Sequence, residues 1–171
     1  KGVREFVAVA RGLKGTARFV LVGAPDSGNP NAIPMDQLEA WVSEGVIEWW
    51  GHREDMSAVL AQANLVVLPT VYGEGLPKIL IEAGASGRAV VASDVRGCRE
   101  IVRPGVNGTL VKPRSVTELT RAITSLLESP DARRRYGAAG REIVEREFSE
   151  DLIVGQSLDV YRQLLGDRFS P

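Results

Sequence analysis

The chain has 171 residues, 44% of them hydrophobic and 25% charged, and its formal net charge is -1. This composition is typical of one soluble globular domain with a complete core, and it excludes a fibrous or disordered protein. A near-neutral charge gives no basic surface for nucleic acid, so we expect no nucleic-acid partner. Any anionic ligand must therefore be held by local amides and a few cations.

Histidine and cysteine are too scarce for several common kinds of site. His52 is the only histidine and Cys98 the only cysteine, which excludes an internal disulfide and a His/Cys metal site. No Asp-x-Asp pair is present, so we expect no metal. No apolar run reaches ~20 residues and no signal peptide is present, which predicts a cytoplasmic chain without a membrane span. Because Lys1 stands in place of Met, we expect a piece of a longer protein.

Segments of helical and of strand character alternate along the first part of the chain. Apolar residues from Val3 to Leu13 recur at helical spacing, and Gly12 and Gly15 mark the end of this helix. Further helices are predicted over 35–43 and 56–63, and strands over 19–22, 46–50 and 65–68. The continuous apolar run of the third strand is typical of a parallel strand covered on both faces.

The later segments continue this alternation and end in helices. Strands are predicted over 89–92 and 108–111, and helices begin near Ser115, Ser129 and Ser149. Ser115 and Glu118 have the spacing of a capping box. Strands that alternate with helices predict an α/β fold with a Rossmann-like, doubly wound parallel sheet. We expect one domain over 1–171 with carboxyl-terminal helices, the last over about 150–165.

The most informative segment is 72–83, where a glycine-rich turn runs directly into a helix. Gly73 and Gly75 allow the backbone to pass close to a ligand, and Pro77 suits the first helical position. Free amides and the helix dipole at such a start favour a phosphate. The segment follows the strand over 65–68, so it lies at the carboxyl edge where doubly wound sheets bind ligands.

Three charged side chains in this segment refine the prediction. Lys78 opposes the helix dipole in the first turn unless an anion is bound nearby. Glu74 and Glu82 lie on the turn and inside the helix, so they would contact different parts of an elongated ligand, such as a nucleotide sugar. Two glutamates at this spacing also occur often on solvated helix faces, and the spacing alone leaves that alternative open.

Three other segments carry polar or charged groups of interest. His52 and Arg53, just beyond a strand, could contact a nucleobase or form a solvated loop. The turn over 97–100 could line a sugar pocket, or it could be a junction in which Glu100 complements a helix dipole. The arginines at 133–135 are expected to form a solvated helix face.

Together these residues resemble the carboxyl-terminal, donor-binding half of family-four (group 1) retaining GT-B glycosyltransferases. The hallmark of that family is two glutamates separated by seven residues, as Glu74 and Glu82 are. The resemblance runs over nearly the whole chain and includes Lys1-Gly2-Val3, Val22-Gly23, Trp50-Gly51, Ala63-Asn64-Leu65, Pro69, the block over 74–83, Ser93-Asp94, Glu100-Ile101-Val102, Gly105 and Gly108-Thr109-Leu110-Val111.

The resemblance implies transfer of a sugar from a uridine or guanosine diphosphate sugar, with retained anomeric configuration and without metal or cofactor. Glu74 would hold donor-sugar hydroxyls at the catalytic centre, and Glu82 would hold the ribose hydroxyls. Bound phosphates would contact Lys1 and the amides of Gly75, Leu76, Lys78 and Ile79. A missing amino-terminal domain would bind a glycan or lipid-linked acceptor, which leaves room for peripheral association with the inner face of a membrane.

The sequence departs from the family pattern at its start. The family's phosphate-binding arginine and a normally central strand precede the lysine that Lys1 matches, and neither is in this sequence. We therefore expect half an active site here, with no sugar transfer by the chain alone.

The same residues also allow three alternative functions to be compared with sugar transfer. A nucleotide-sugar epimerase of the same fold needs more acid and base groups than one histidine supplies. A glycosidase needs Glu74 and Glu82 to flank one bond, which positions on a turn and inside a helix do not favour. A noncatalytic α/β interaction module would bind a partner protein through its acidic loop, and nucleotide binding would separate it from a transferase.

Overall fold

The computed structural model of the protein describes residues 1–26, 28–29, 31–73 and 75–166. The helices within them are α1 (Val3–Gly12), α2 (Met35–Ser43), α3 (Met56–Gln62), α4 (Lys78–Ala85), α5 (Cys98–Ile101), α6 (Val116–Glu128), α7 (Pro130–Glu147) and α8 (Glu150–Leu165). The strands are β1 (Val20–Leu21), β2 (Glu48–Trp49), β3 (Leu65–Leu68), β4 (Ala89–Ser93) and β5 (Gly108–Val111). Helices and strands alternate as the sequence predicts.

All strand pairings are parallel, and the strands form two sheets. One sheet has the order β1-β2 and the other the order β3-β4-β5. No ladder joins β1 to β3 within the described part of the chain. The parallel α/β fold predicted from the sequence is confirmed.

The strand β4 lies between two apolar cores, because its successive side chains point to opposite faces. Val91 packs in a core with residues of α1, α2, α6 and β5. Val90 and Ala92 pack in the other, with α4 and α5. Every residue of β4 is buried, whereas β3, at the sheet edge, is mostly half-buried. This arrangement is the double winding that the apolar strand runs indicated.

The first two strands are shorter than predicted. Their ladder includes bonds from the Glu48 amide to the Phe19 carbonyl at 2.8 Å and from the Trp50 amide to the Leu21 carbonyl at 3.0 Å. Just beyond it, the Gly23 amide donates to the Gly51 carbonyl at 2.7 Å. Val46 and Ile47 are buried although they lie outside the strand. The hydrophobic pattern therefore predicts which segment is buried, whereas the ends of the strand are set by which backbone groups have hydrogen-bond partners.

Helix capping agrees with the sequence in part. The Ser115 hydroxyl accepts a hydrogen bond from the Glu118 amide, but the Glu118 carboxylate accepts from the Lys112 amide, so the capping box is not reciprocal. The Ser129 hydroxyl caps α7 as predicted. At α8 the Ser149 side chain makes no capping bond.

Arginines in α7 contribute to packing rather than to a purely solvated face, which corrects the expectation for 133–135. The Arg133 guanidinium donates to the carbonyls of Leu126 and Leu127, and so satisfies the carboxyl end of α6. Arg134 pairs with Asp131 within α7. Arg133 therefore joins two consecutive helices.

The terminal helix α8 lies outside both cores, since none of its residues is buried. Exposed apolar side chains on it include Val154, Tyr161 and Leu165, each about half exposed. The apolar stripe that helical spacing predicts here, expected to face partly away from the sheet, also includes Leu158, and that side chain is half-buried. Among the helices of the described residues, none combines the length and hydrophobicity needed to cross a membrane.

Close packing of α7 against the segment between α4 and β4 depends on glycine. A Cβ on Gly137 would lie 2.0 Å from the Gly87 carbonyl oxygen. We therefore expect Gly137→Ala to lower the free energy of unfolding by about 1–3 kcal/mol, as overpacking does. The matched control is Gly155→Ala on α8, where no described atom lies within 4 Å of the added Cβ. Urea unfolding measures both, and an unchanged midpoint for Gly137→Ala would contradict the close approach.

An ion pair between the loop after α5 and the end of α7 predicts acid sensitivity. Hydrogen bonds from Arg103 and then Arg146 lower the pKa of Glu147 from 4.5 to about 2. Because the folded pKa lies below the unfolded one, this carboxylate stabilises the fold above pH 4.5 and loses that contribution as the pH falls towards 2. Thermal unfolding of wild type and Glu147→Gln should therefore differ at neutral pH and converge in acid. A difference that stays constant with pH would refute this.

Candidate functional site

The site is formed where the chain leaves β3 and enters α4. Thr70 is fully buried after β3, and its hydroxyl donates to the Tyr72 carbonyl at 3.3 Å. Pro77 is the N-cap of α4, with φ of -66°, so the helix begins at Lys78, one residue later than predicted. The turn is thus anchored on both sides, and its tip faces solvent through Tyr72 and Leu76.

The start of α4 presents free backbone donors. Among the described residues, the amides of Gly75, Leu76, Lys78 and Ile79 donate no hydrogen bond. The first bond in this helix runs from the Leu80 amide to the Pro77 carbonyl at 2.9 Å. Free amides at the positive end of a helix dipole form a ready site for an anion.

Glu82 lies in the second turn of α4, beside Lys78. The Lys78 Nζ and Glu82 Oε1 atoms are 3.4 Å apart, with the lysine side chain 87% and the glutamate side chain 29% exposed. A pair this exposed contributes little to stability, and an incoming ligand can separate it easily. The structure therefore brings together Lys78, which the sequence predicts to lie near an anion, and Glu82, which it predicts to contact another part of the ligand.

The two glycines of the turn are not required by packing. A Cβ on Gly73 or Gly75 would meet no described atom within 4 Å. The space in front of the turn is open, as the predicted ligand requires. Glu74, the predicted catalytic residue, lies outside the described residues.

The amino-terminal end of the chain reaches the same edge of the sheet through Gly2. Its φ is 75°, and a Cβ there would lie 1.8 Å from the Pro69 carbonyl oxygen. The backbone of Gly2 therefore lies directly against Pro69, the residue that follows β3. Sequence patterns alone gave no reason for glycine at this position, because Pro69 is distant along the chain.

The loop after β2 carries His52 and Arg53, both exposed. Arg53 forms a two-point ion pair with Asp55, in which its Nε and Nη2 atoms lie 2.7 and 2.6 Å from the two carboxylate oxygens. This hydrogen bonding raises the pKa of Arg53 and lowers that of Asp55. His52 remains on the open loop, so the structure does not bring these two side chains together at α4.

The loop after β4 lies at the same carboxyl edge. Arg99 donates from Nε to Asp94 Oδ1 at 2.6 Å, and this bond lowers the pKa of the aspartate. Gly97 begins the short helix α5 with φ of 85°. The segment over 97–100 is thus the start of α5, and the Arg99–Asp94 ion pair holds it to the loop that follows β4.

Two cavities differ in their relation to these residues. One of about 310 Å³ lies between α3 and α4 and is lined by Glu82 together with Glu54 and Ser57. The other, about 370 Å³, lies between β5, α6 and α7 and contains none of the predicted site residues. Sequence reasoning did not select Glu54 or Ser57, because only folding brings them beside Glu82.

The sequence of this chain is similar to those of known protein families and proteins. Residues 1–129 match the protein family described as Glycosyl transferases group 1. The chain belongs to the group 1 glycosyltransferases. This group 1 glycosyltransferase chain is 33% identical over 166 residues to the N,N'-diacetylbacillosaminyl-diphospho-undecaprenol alpha-1,3-N-acetylgalactosaminyltransferase of Campylobacter jejuni, covering 96% of the chain and 42% of that protein. It is 35% identical over 175 residues to the alpha-maltose-1-phosphate synthase of Mycolicibacterium smegmatis, covering 96% and 45%.

Solved structures of other glycosyltransferases match the same portion of the fold. The group 1 chain superimposes on sucrose-phosphate synthase from Thermosynechococcus elongatus with a TM-score of 0.85 and 32% identity, covering 96% of this chain and 42% of that one. For the C-terminal domain of a group 1 protein from Francisella tularensis the TM-score is 0.74 and the identity 21%, with coverages of 88% and 80%. The chain thus spans less than half of its long relatives and has the fold of a carboxyl-terminal GT-B domain.

Two glycines at the site should respond differently to alanine. Gly2→Ala should destabilise the fold by about 2 kcal/mol or more, because an L-residue in a left-handed conformation costs roughly 1–2 kcal/mol and the added Cβ would also clash with the Pro69 carbonyl. Gly75→Ala places a methyl group in open space and should change the free energy of unfolding by less than about 0.5 kcal/mol. Chemical unfolding of both variants tests this, and equal losses would contradict the described packing.

Proposed function

We propose that this domain binds the nucleoside diphosphate sugar donor of a retaining, metal-independent glycosyltransferase that acts in glycan or polysaccharide biosynthesis. The observation that carries the proposal is the set of free amides at the start of α4 with Glu82 one turn further along. The amides suit the diphosphate, and the carboxylate suits ribose hydroxyls. Glu74 is assigned to the donor-sugar hydroxyls, at the catalytic centre.

Charge on the leaving diphosphate would be neutralised by the protein itself. The amides at the α4 start, Lys78 and Lys1 would supply these donors, and donors held in fixed positions stabilise the charge that develops on the leaving group. When a phosphate binds, Lys78 exchanges an exposed pair with Glu82 for an anion at the helix start, which frees Glu82 to accept from the ribose.

Relatives support the class of ligand. The structure of Anabaena HepE in complex with UDP shares this fold, with a TM-score of 0.87 at 23% identity and coverages of 95% of this chain and 45% of that one. The Campylobacter jejuni relative carries the name of a transferase acting on an undecaprenol-linked substrate. A glycan or lipid-linked acceptor, bound by the other half of the protein at the cytoplasmic face of a membrane, fits these names.

The role of Glu82 is tested by calorimetric titration of the full chain with UDP and GDP. Glu82→Gln should weaken nucleoside diphosphate binding by roughly 1.5–3 kcal/mol, the cost of losing hydrogen bonds to a charged group. Glu39→Gln is the matched control, since Glu39 is an exposed helical glutamate on α2, away from the site. Unchanged affinity in Glu82→Gln would refute the ribose assignment.

Glu74 is tested with the sugar attached. Glu74→Ala should weaken binding of a nucleoside diphosphate sugar and leave the bare diphosphate unaffected, because the two glutamates address different ends of the donor. Equal losses for both ligands in both variants would overturn the assignment.

A further inference from the structure

Three exposed cations, here termed the basic rim, lie on the loops that follow β4 and β5. Arg96 is on the first loop, and Lys112 and Arg114 are on the second. The Asp94 amide donates to the Val111 carbonyl at 2.7 Å, so the two loops begin side by side. The fold therefore brings together cations that are distant along the chain.

Hydrogen bonds fix the backbone of both loops. In the first, the Val95 amide donates to the Ser93 carbonyl at 2.9 Å, and the Val95 side chain packs against the core that includes α4. In the second, the Ser115 amide donates to the Lys112 carbonyl at 3.2 Å, and the Lys112 amide donates to the Glu118 carboxylate at 2.8 Å. The cations of the basic rim are thus carried on hydrogen-bonded turns.

The side chains of the basic rim have no partner of opposite charge. Among the residues that the structure describes, none of the three forms an ion pair or a side-chain hydrogen bond. The neighbouring Asp94 is neutralised by Arg99, and the half-buried Glu118 carboxylate accepts from a backbone amide. Glu100, exposed in the first turn of α5, offsets one of the three charges. The basic rim therefore keeps a net positive charge.

Arg114 has a backbone conformation that is unfavourable for arginine. Its φ is 62°, and within the described part of the chain every other residue with a positive φ is glycine. A Cβ makes this left-handed region costly, whereas glycine would occupy it without strain. Strain of this kind is found where a side chain has a function. The turn itself gives no reason for arginine, which points to its guanidinium group.

The basic rim lies beside the proposed donor site without being part of it. Loops after parallel strands emerge at the same edge of a sheet. Neighbouring strands are about 4.8 Å apart, so the end of β5 is roughly 10 Å from the end of β3, where the chain turns towards α4. A group bound at the basic rim would therefore lie next to a diphosphate held by α4, as a second substrate must.

From these observations we infer that the basic rim binds the phosphate groups of a lipid-linked diphosphate acceptor. The inference rests on the proposed function, in which the other half of the protein binds the acceptor, and it adds a contact made by this half. Arg96 and Arg114 offer planar guanidinium groups that match two phosphate oxygens at once, and Lys112 adds a point charge. A bilayer fits less well, because a flat surface on the rim would also cover the neighbouring turn where the donor is proposed to bind.

Calorimetric titration of the full chain with geranyl diphosphate tests the inference, with the donor site saturated by UDP or GDP. Geranyl diphosphate should bind under these conditions, whereas geraniol, which lacks the phosphates, should not. Arg96→Gln combined with Arg114→Gly should weaken its binding roughly tenfold or more, the loss expected for charged hydrogen bonds, and leave the nucleotide affinity within about twofold. The matched control, Arg134→Gln with Arg141→Gln, removes two exposed charges from α7 and should change neither affinity.

Melting temperatures of the same variants separate folding from binding. Arg114→Gly should melt no lower than wild type, because glycine adopts a positive φ without strain, so weaker binding reports the lost guanidinium group. Competition between geranyl diphosphate and the nucleotide for one site would overturn the inference. An equal loss of binding in the α7 control would do the same, since it would show attraction to net charge alone.

The remaining outcomes distinguish the inference from a membrane surface and from the proposed function. Sedimentation with phosphatidylglycerol vesicles that depends on Arg96 and Arg114 would overturn the acceptor assignment in favour of a membrane contact. Nucleotide binding without geranyl diphosphate binding would overturn the inference and leave the proposed function intact. Failure of both UDP and GDP to bind wild type would overturn the proposed function itself, and the inference with it.

Discussion

The fold depends on the parallel pairing of β4 with a strand on each side. Leu65–Leu68 of β3 lie opposite 89–92, and β5 lies on the other side in continuous register. Side chains of β4 alternate between two cores, so one strand holds helices on both faces. Because the strands run parallel, the loops after β3 and β4 must emerge at one edge, and the turn into α4 lies there.

Close backbone contacts then position the elements around that edge. Gly2 rests on Pro69, and Gly137 on Gly87, each at a separation that no side chain would allow. The first contact brings the start of α1 to the end of β3, while the second holds α7 against the segment between α4 and β4. Glycine is needed at Gly2 and Gly137 because backbone contacts backbone there, whereas the exposed Gly73 and Gly75 have no such constraint.

Electrostatics divides the site into two parts. Free amides at the start of α4 suit an anion, whereas the cavity beside Glu82 is lined by the carboxylates of Glu54 and Glu82. Two arginines in the loops after β2 and β4 are already neutralised, in the Arg53–Asp55 and Arg99–Asp94 pairs.

The sequence by itself determined the alternation of helices and strands, the parallel α/β class and the turn before α4, because these depend on local hydrophobic spacing and on glycine and proline. Tertiary structure alone decided the pairing of Lys78 with Glu82, the contact of Gly2 with Pro69 and the placing of Glu54 beside Glu82. It also shortened β1 and β2 and moved the helix start from Pro77 to Lys78. These features join residues from different elements, so they are set by packing and by available hydrogen-bond partners, which no local pattern encodes.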